Sequence, residues 1–479
     1  MTTIDYTIIV FYFAMIIGVG IYFRNQKSLR DYFLGGNSVP WWAATFSGIA
    51  TLLSAVSYLG APGLAYASDY RLHQYRLGLP LAFIILNAIM LPYFYRTQRL
   101  SIYEYFEGRF NVQTRLFASG LFIVLKTCYI GLAIFAPALV LRQMFGISIW
   151  YIVGLVGIVT TTYTMMGGIK AVIWTDSLQL FILLGGLVVV AFIAVGKVDG
   201  GLAEVVAYGN VHDKFRVLDF SWDLTTTYTV WAGFFGGTIF LLSQYGTDQS
   251  ELQRFLATRS LGEARLAILV TLSVTIVVGV GMFFIGTILF TFYGQSAQEG
   301  NATIASNDVM PMFILNELPI GIKGLLVAAV LAAAMSTISS VLNSVTTVII
   351  SDFYNRFARK AATVRLARIV TVLLGLVGIL LGGFAGSLGN ILELGMKLSG
   401  FFGGPLVGLF LLGMTTKRAN GRSALLGLGS GFATTLCLGI FTDVSFLWYA
   451  AFSSVATYVV GWVLGGSKAD APATSQPVG

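Results

Sequence analysis

GIATLLSAVSYLGAPG, residues 48–63, sets Gly, Ser and Pro inside a run that is otherwise apolar over 42–66. WAGFFGGTIFLLSQYG, residues 231–246, again mixes Gly and Ser into an apolar run later in the chain. Each run is close to the length that crosses a bilayer, yet each carries residues that interrupt a helix and leave backbone groups without partners. Hydrocarbon tolerates such backbone only where protein or a polar cavity surrounds it. The two stretches fall at matching places in two successive groups of five apolar runs. Interrupted helices in corresponding halves mark the binding site of membrane transporters built from inverted repeats.

The rest of the chain agrees with a membrane location. Of 479 residues, 56% are apolar and 10% charged, against roughly 25% charged in a soluble domain. Apolar runs recur near 7–23, 42–66, 77–95, 116–141, 148–168, 171–195, 227–245, 266–290, 323–350, 367–387, 389–413, 423–441 and 444–464. They predict an all-α polytopic membrane protein with 13 transmembrane helices in one domain, 1–466, and a polar, disordered tail, 467–479. The first run lacks a basic segment before it and a small-residue cleavage motif, so it reads as a retained helix rather than a signal peptide.

Basic residues gather in every second loop: Arg24, Lys27 and Arg30; Arg96, Arg99, Arg109 and Arg115; Arg254, Arg259 and Arg265; Arg356, Arg359, Lys360, Arg365 and Arg368. The preference of such loops for the cytoplasm puts the N-terminus outside and the C-terminus inside. It also accounts for the formal charge of +8 without a nucleic-acid partner. The compact loops suggest a bacterial inner membrane.

Several chemistries are excluded by missing residues. No GxxxxGK[ST] is present for nucleotide-driven pumping, and neither HExxH nor GxSxG occurs; His73 and His212 are the two histidines. Cys128 and Cys437 both lie in apolar runs and suggest neither a disulfide framework nor a metal site. An enzyme is not expected; binding and translocation remain.

AAAMSTISSVLNS, residues 332–344, adds a row of hydroxyls to another apolar run. Ser336 and Ser340 share one helix face, with Thr337 beside them. With unwound carbonyls, such hard oxygens suit a sodium ion; equally, Ser and Thr let helices approach closely or bond back to the preceding turn. In GGIKAVIWTDSLQ, 167–179, Asp176 lies just inside an apolar run. Such a carboxylate is a functional candidate, with a helix N-terminal cap at the cytoplasmic face as the alternative.

With these residues in view, the sequence resembles the sodium/solute symporter family over nearly its whole length. The resemblance rests on GGIKAVIWTDSLQ, QYGTDQSELQRFLATR (244–259), AAAMSTISSVLNS followed by SDFY (351–354), YEYFEGRF (103–110) and GGPLVGLFLLGM (403–414). Within the family it looks most like the sialic acid symporters and, through SAVSYLGAPG (54–63) and YIGLAIFAPALVL (129–141), the animal sodium-coupled monocarboxylate and multivitamin carriers. The resemblance implies a leucine-transporter-type 5+5 inverted repeat working by alternating access. An extra N-terminal helix falls at 7–23, the first repeat over about 42–195, the second over about 227–413, and two C-terminal helices over about 423–464. It also implies one sodium ion at the carbonyls of Ala50, Leu53 and Ala333 with the hydroxyls of Ser336 and Thr337. A second sodium ion falls at Asp176, Ser336, Ser339 and Ser340, giving two per cycle.

The family's substrate positions match Ser54, Ser57, Arg76, Tyr129, Gln244 and Lys397. Sialic acid members place a carboxylate-binding Arg where this chain has Tyr129, and a Gln where it has Arg76. A cation moved across the pocket, with Lys126 and Lys397 as further cations and few opposing carboxylates, points to an anionic solute. Sialic acid, another sugar acid and a monocarboxylate all fit. Other readings stay open: Glu393 can neutralise Lys397 from four residues away, Arg76 can sit among lipid headgroups beside Arg71 and His73, and Lys126 can be structural. A neutral sugar or polyol is the alternative cargo, and a sodium-dependent channel or nutrient sensor the alternative class. A monomer in membrane lipid is the expected working unit.

Overall fold

The computed structural model describes residues 1–297, 304–358, 360–385 and 391–466, without the side chains of 140, 143, 144, 296, 297 and 391–400. The tail expected at 467–479 lies outside them, as do the side chains of Glu393 and Lys397. Every regular element described is helical, apart from an isolated bridge between Val39 and Thr258. In chain order the principal elements are α1 (Thr3–Tyr22), α2 (Trp41–Leu52), α3 (Ala55–Ala67), α4 (Tyr70–Thr97), α5 (Val112–Phe145), α6 (Ile149–Gly196) and α7 (Gly237–Gly246). They continue as α8 (Gln249–Leu256), α9 (Leu261–Ala297), α10 (Ile322–Val348), α11 (Val364–Phe384), α12 (Ile391–Thr415), α13 (Gly421–Phe441) and α14 (Phe446–Val463).

Among the described residues nine helices are long and apolar enough to cross a membrane, or ten if the bent pair α2–α3 counts as one span. The sequence has 13 apolar runs, and one part of the difference has a local cause. The runs 148–168 and 171–195 join in α6, a single 48-residue element, with no loop between them. Gly168 alone leaves the helical region there, at φ 56° and ψ −152°, where a Cβ would meet the Tyr32 carbonyl oxygen at 2.5 Å. Only glycine takes that conformation in that space.

The two interrupted stretches behave differently. The first breaks as expected: α2 and α3 meet at 58°, with Leu53 and Ser54 between them. The second is helical from Ala232 to Gly246, and its break comes later, at Thr247 and Asp248, before α8. Its glycines serve packing instead. A Cβ at Gly233 would lie 2.0 Å from the Gln74 carbonyl oxygen, and one at Gly237 would lie 2.1 Å from that of Tyr75. Small residues let helices touch backbone to backbone where hydrophobic collapse gives no help.

At the centre stands α10. Of its apolar window 94% is buried, against 22% for α1 and 28% for α11, so its hydroxyls face protein on all sides. It packs against α6, α5, α1 and α2. Asp5 of α1 caps its start, accepting from the Gly321 and Gly324 amides at 2.8 and 2.9 Å. A carboxylate on the first amides of a helix is favoured by both the free N–H groups and the dipole.

Two basic residues that the sequence assigns to cytoplasmic loops are inside the protein. Arg115 pairs with Asp352 and Glu107, each at 2.7 Å, and Ser101 and Ser119 also donate to Asp352. The motifs YEYFEGRF and SDFY therefore form a structural joint between the start of α5 and the end of α10. Arg254 on α8 has a side chain only 1% exposed. It is not a loop charge, because all eight residues of α8 are buried against the bundle.

Candidate functional site

Where α2 ends at Leu52, the carbonyls of its last turn lose their onward amides. Hydroxyls from α10 reach them. Ser336 Oγ donates to the Ala50 carbonyl at 3.0 Å and Thr337 Oγ1 to the Thr51 carbonyl at 3.0 Å, while both contact the Ala333 carbonyl at 3.2 Å. Ala50, Ala333, Ser336 and Thr337 thus converge, joined by the Thr51 carbonyl. Leu53 occupies the bend itself and lines the adjoining cavity. Ser339 and Ser344 bond back to their own helix, at Ser336 and Val341. Carbonyls and hydroxyls gathered in a dry break are the hard oxygen donors that a sodium ion accepts.

One turn along α10 lies a charged cluster. Asp176 is fully buried, eight residues past the Gly168 kink, so it is not a helix cap. Its Oδ2 accepts from Ser47 Oγ at 2.7 Å and from Thr51 Oγ1 and Ser340 Oγ at 3.3 Å. Arg254 Nη1 stands 3.6 Å from the same oxygen. Asp176 Oδ1 is buried without a hydrogen-bond partner. An orphaned carboxylate oxygen in a dry interior is costly unless something binds it.

On one side of the break opens a cavity of about 190 Å³. It brings together Ser54, Ser57, Arg76, Tyr129 and Gln244, five of the six expected substrate residues. Ser54 Oγ caps α3 and lies 3.2 Å from Ser57 Oγ. Arg76 faces this cavity rather than lipid: Nη1 donates to the Thr275 carbonyl at 2.6 Å, the guanidinium lies over the Tyr75 ring, and Nε is buried without a partner. Lys126 is not a free cation. It is ion-paired with Asp248 at the second break, over the Tyr129 ring.

Four contributors were not evident from the sequence. His73 lines the cavity with both ring nitrogens unpartnered, although its place at the end of a span marks it as peripheral. Ser47 and Thr51 hold Asp176. Arg254 is hidden among true loop arginines. The available signal was charge balance, because a buried Asp176 calls for a cation.

A family model described as "Sodium:solute symporter family" matches residues 32–431. The sodium/sialic acid symporter NanT of Aliivibrio fischeri is 34% identical over 473 residues, spanning 96% of this chain and 92% of that protein. Sodium-coupled monocarboxylate transporter 1 of Xenopus laevis is 31% identical over 454 residues, spanning 92% and 73%. The solved substrate-bound, outward-open state of a Na+-coupled sialic acid symporter superposes with a TM-score of 0.89 at 32% identity, covering 96% of this chain and 97% of that one.

Proposed function

Since the chain belongs to the sodium:solute symporter family, we propose that it drives a small carboxylate-bearing solute across the membrane, holding it chiefly through Arg76. It is an integral membrane transporter coupled to sodium, not an enzyme. The observation that carries the substrate reading is the Arg76 guanidinium, aimed at the cavity with its Nε unpartnered. A guanidinium matches a carboxylate in charge and in fork geometry. A neutral sugar would leave that cation without a counter-charge in a partly desolvated pocket, so the sugar reading is not favoured. Ser54, Ser57, Gln244, Tyr129 and His73 supply the remaining polar contacts. The names of the two relatives fit this reading, since sialic acid and monocarboxylates both carry the group.

Sodium binds in this reading at the carbonyls of Ala50, Leu53 and Ala333 with Ser336 and Thr337. A second ion takes Asp176, Ser336, Ser339 and Ser340, and the orphaned Asp176 Oδ1 supports it. Thirteen spans follow if α6 counts as two at Gly168 and α7 and α12 are each taken as crossing. They form two five-span repeats behind α1, ahead of α13 and α14. Without Arg115 and Arg254 the alternate loops keep their basic bias, which places the N-terminus outside and the C-terminus in the cytoplasm. A monomer in a bacterial inner membrane suffices.

Binding of a panel of sugar acids and monocarboxylates to the purified protein, each beside its neutral amide or alcohol, tests the proposal. The acids bind and the neutral analogues do not; the reverse ranking sinks the role of Arg76.

A further inference from the structure

The site read above as the second sodium position already holds a cation of the chain itself. Arg254 Nη1 donates to Ser47 Oγ at 2.8 Å and to Thr51 Oγ1 at 2.7 Å. These are the hydroxyls that donate to Asp176 Oδ2. The oxygens that an ion at Asp176 draws upon are therefore already drawn toward a guanidinium. That guanidinium has a second anion in reach. Its Nε lies 3.7 Å from Glu251 Oε2, and neither atom has a hydrogen-bond partner. Glu251 is buried and lines a smaller cavity of about 100 Å³ together with Asp248, Lys126, Thr51 and Thr337. One arginine thus stands between two buried carboxylates, one at the ion site and one at the cavity beside it.

We propose that Arg254 is a tethered competitor of the second sodium ion, resting on Asp176 when the ion is absent and shifting to Glu251 when it binds. This rests on the reading of Asp176 as a sodium ligand. Two positive charges sharing one carboxylate in a water-poor site repel, so ion and guanidinium exclude one another. A carboxylate buried alone is strongly unfavourable, so the guanidinium spares Asp176 that state after the ion leaves. The ion's net affinity is its attraction to the oxygens less the cost of displacing Arg254. Arg254 is a positioning residue, and it keeps the ion bound loosely enough to be released. Because α8 carries both Arg254 and Glu251, the shift also links ion binding to the wall of the smaller cavity.

Radioactive sodium binding to the purified full-length protein, at one alkaline pH and without organic solute, tests the proposal. Arg254→Gln lowers the half-saturating sodium concentration of one binding component by at least about tenfold. Glu251→Gln raises it severalfold, because Arg254 loses its other resting place. Arg254→Lys, which keeps a cation, stays near the wild-type value. In the double variant Arg254→Gln, Glu251→Gln the effect of the Glu251 change disappears, a non-additivity that a packing role does not produce. Weaker or unchanged binding in folded Arg254→Gln overturns the proposal. If that variant does not fold, Glu251→Gln decides alone: weakened binding supports the proposal, and unchanged or tighter binding overturns it. Asp176→Asn separates the two readings. If it leaves every sodium component intact, the second sodium site fails and the competitor with it; if it removes one component that Arg254→Gln does not tighten, the competitor alone fails.

Discussion

Replacing Ser336 and Thr337 together by alanine removes two hydroxyls that reach from α10 to the end of α2. Each bonds one carbonyl across the gap, Ala50 or Thr51, and one on its own helix, Ala333. Without an ion, a buried hydrogen bond of this kind contributes about 1 kcal/mol, so the fold loses about 2 kcal/mol in all. With an ion the same oxygens face a full charge, and such contacts are worth about 1.5 to 3 kcal/mol each. Two of them sum to about 3 to 6 kcal/mol, and about 1.4 kcal/mol is tenfold in affinity. Sodium affinity therefore falls by at least about a hundredfold while the protein remains folded. Thermal melting checks the second statement, and solute uptake into proteoliposomes titrated with external sodium checks the first. A folded double variant with the wild-type half-saturating sodium concentration would refute the assignment of this site.

Arg76→Gln raises the half-saturating solute concentration by at least about tenfold, since losing one partner of a charge pair in a desolvated pocket costs about 2 to 5 kcal/mol; sodium binding without solute stays unchanged, and parallel titrations show whether the two separate. Asp176→Asn lowers the Hill coefficient for sodium toward one; a wild-type curve that is already hyperbolic, with one sodium ion and so no net charge moved per monocarboxylate, contradicts the second ion. Asp352→Asn takes the fully buried one of the carboxylates that Arg115 pairs with and lowers the melting temperature; breaking a buried pair outright costs about 3 to 5 kcal/mol, and the remaining Glu107 pairing keeps the loss below that. The sodium half-saturation of the surviving folded protein does not move, and a variant as stable as the wild type removes this joint from the account.

The spans were legible because hydropathy is a local property, and a run such as 423–441 becomes α13, Gly421–Phe441, almost residue for residue. The first break was legible from Ser and Gly near its bend. The second was misplaced, since Gly233 and Gly237 look like breakers in one dimension and serve as contact points in three. The hydroxyl row of α10 announced a polar site, yet only geometry separates Ser336 and Thr337, which cross to α2, from Ser344, which bonds back. Arg254 and Lys126 were hardest to read. Their partners Asp176 and Asp248 lie on distant stretches of sequence, and an arginine followed by Arg259 and Arg265 looks like one more loop charge until α8 is seen to be buried.

Uptake of one labelled acid into proteoliposomes shows whether a sodium gradient drives a carboxylate solute through the cavity at Arg76. With sodium high outside and low inside, the acid accumulates above its external concentration. Accumulation is lost when the sodium gradient is collapsed, blocked by unlabelled carboxylates and indifferent to neutral analogues. Equilibration without accumulation, or accumulation that persists without a sodium gradient, contradicts sodium-driven uptake.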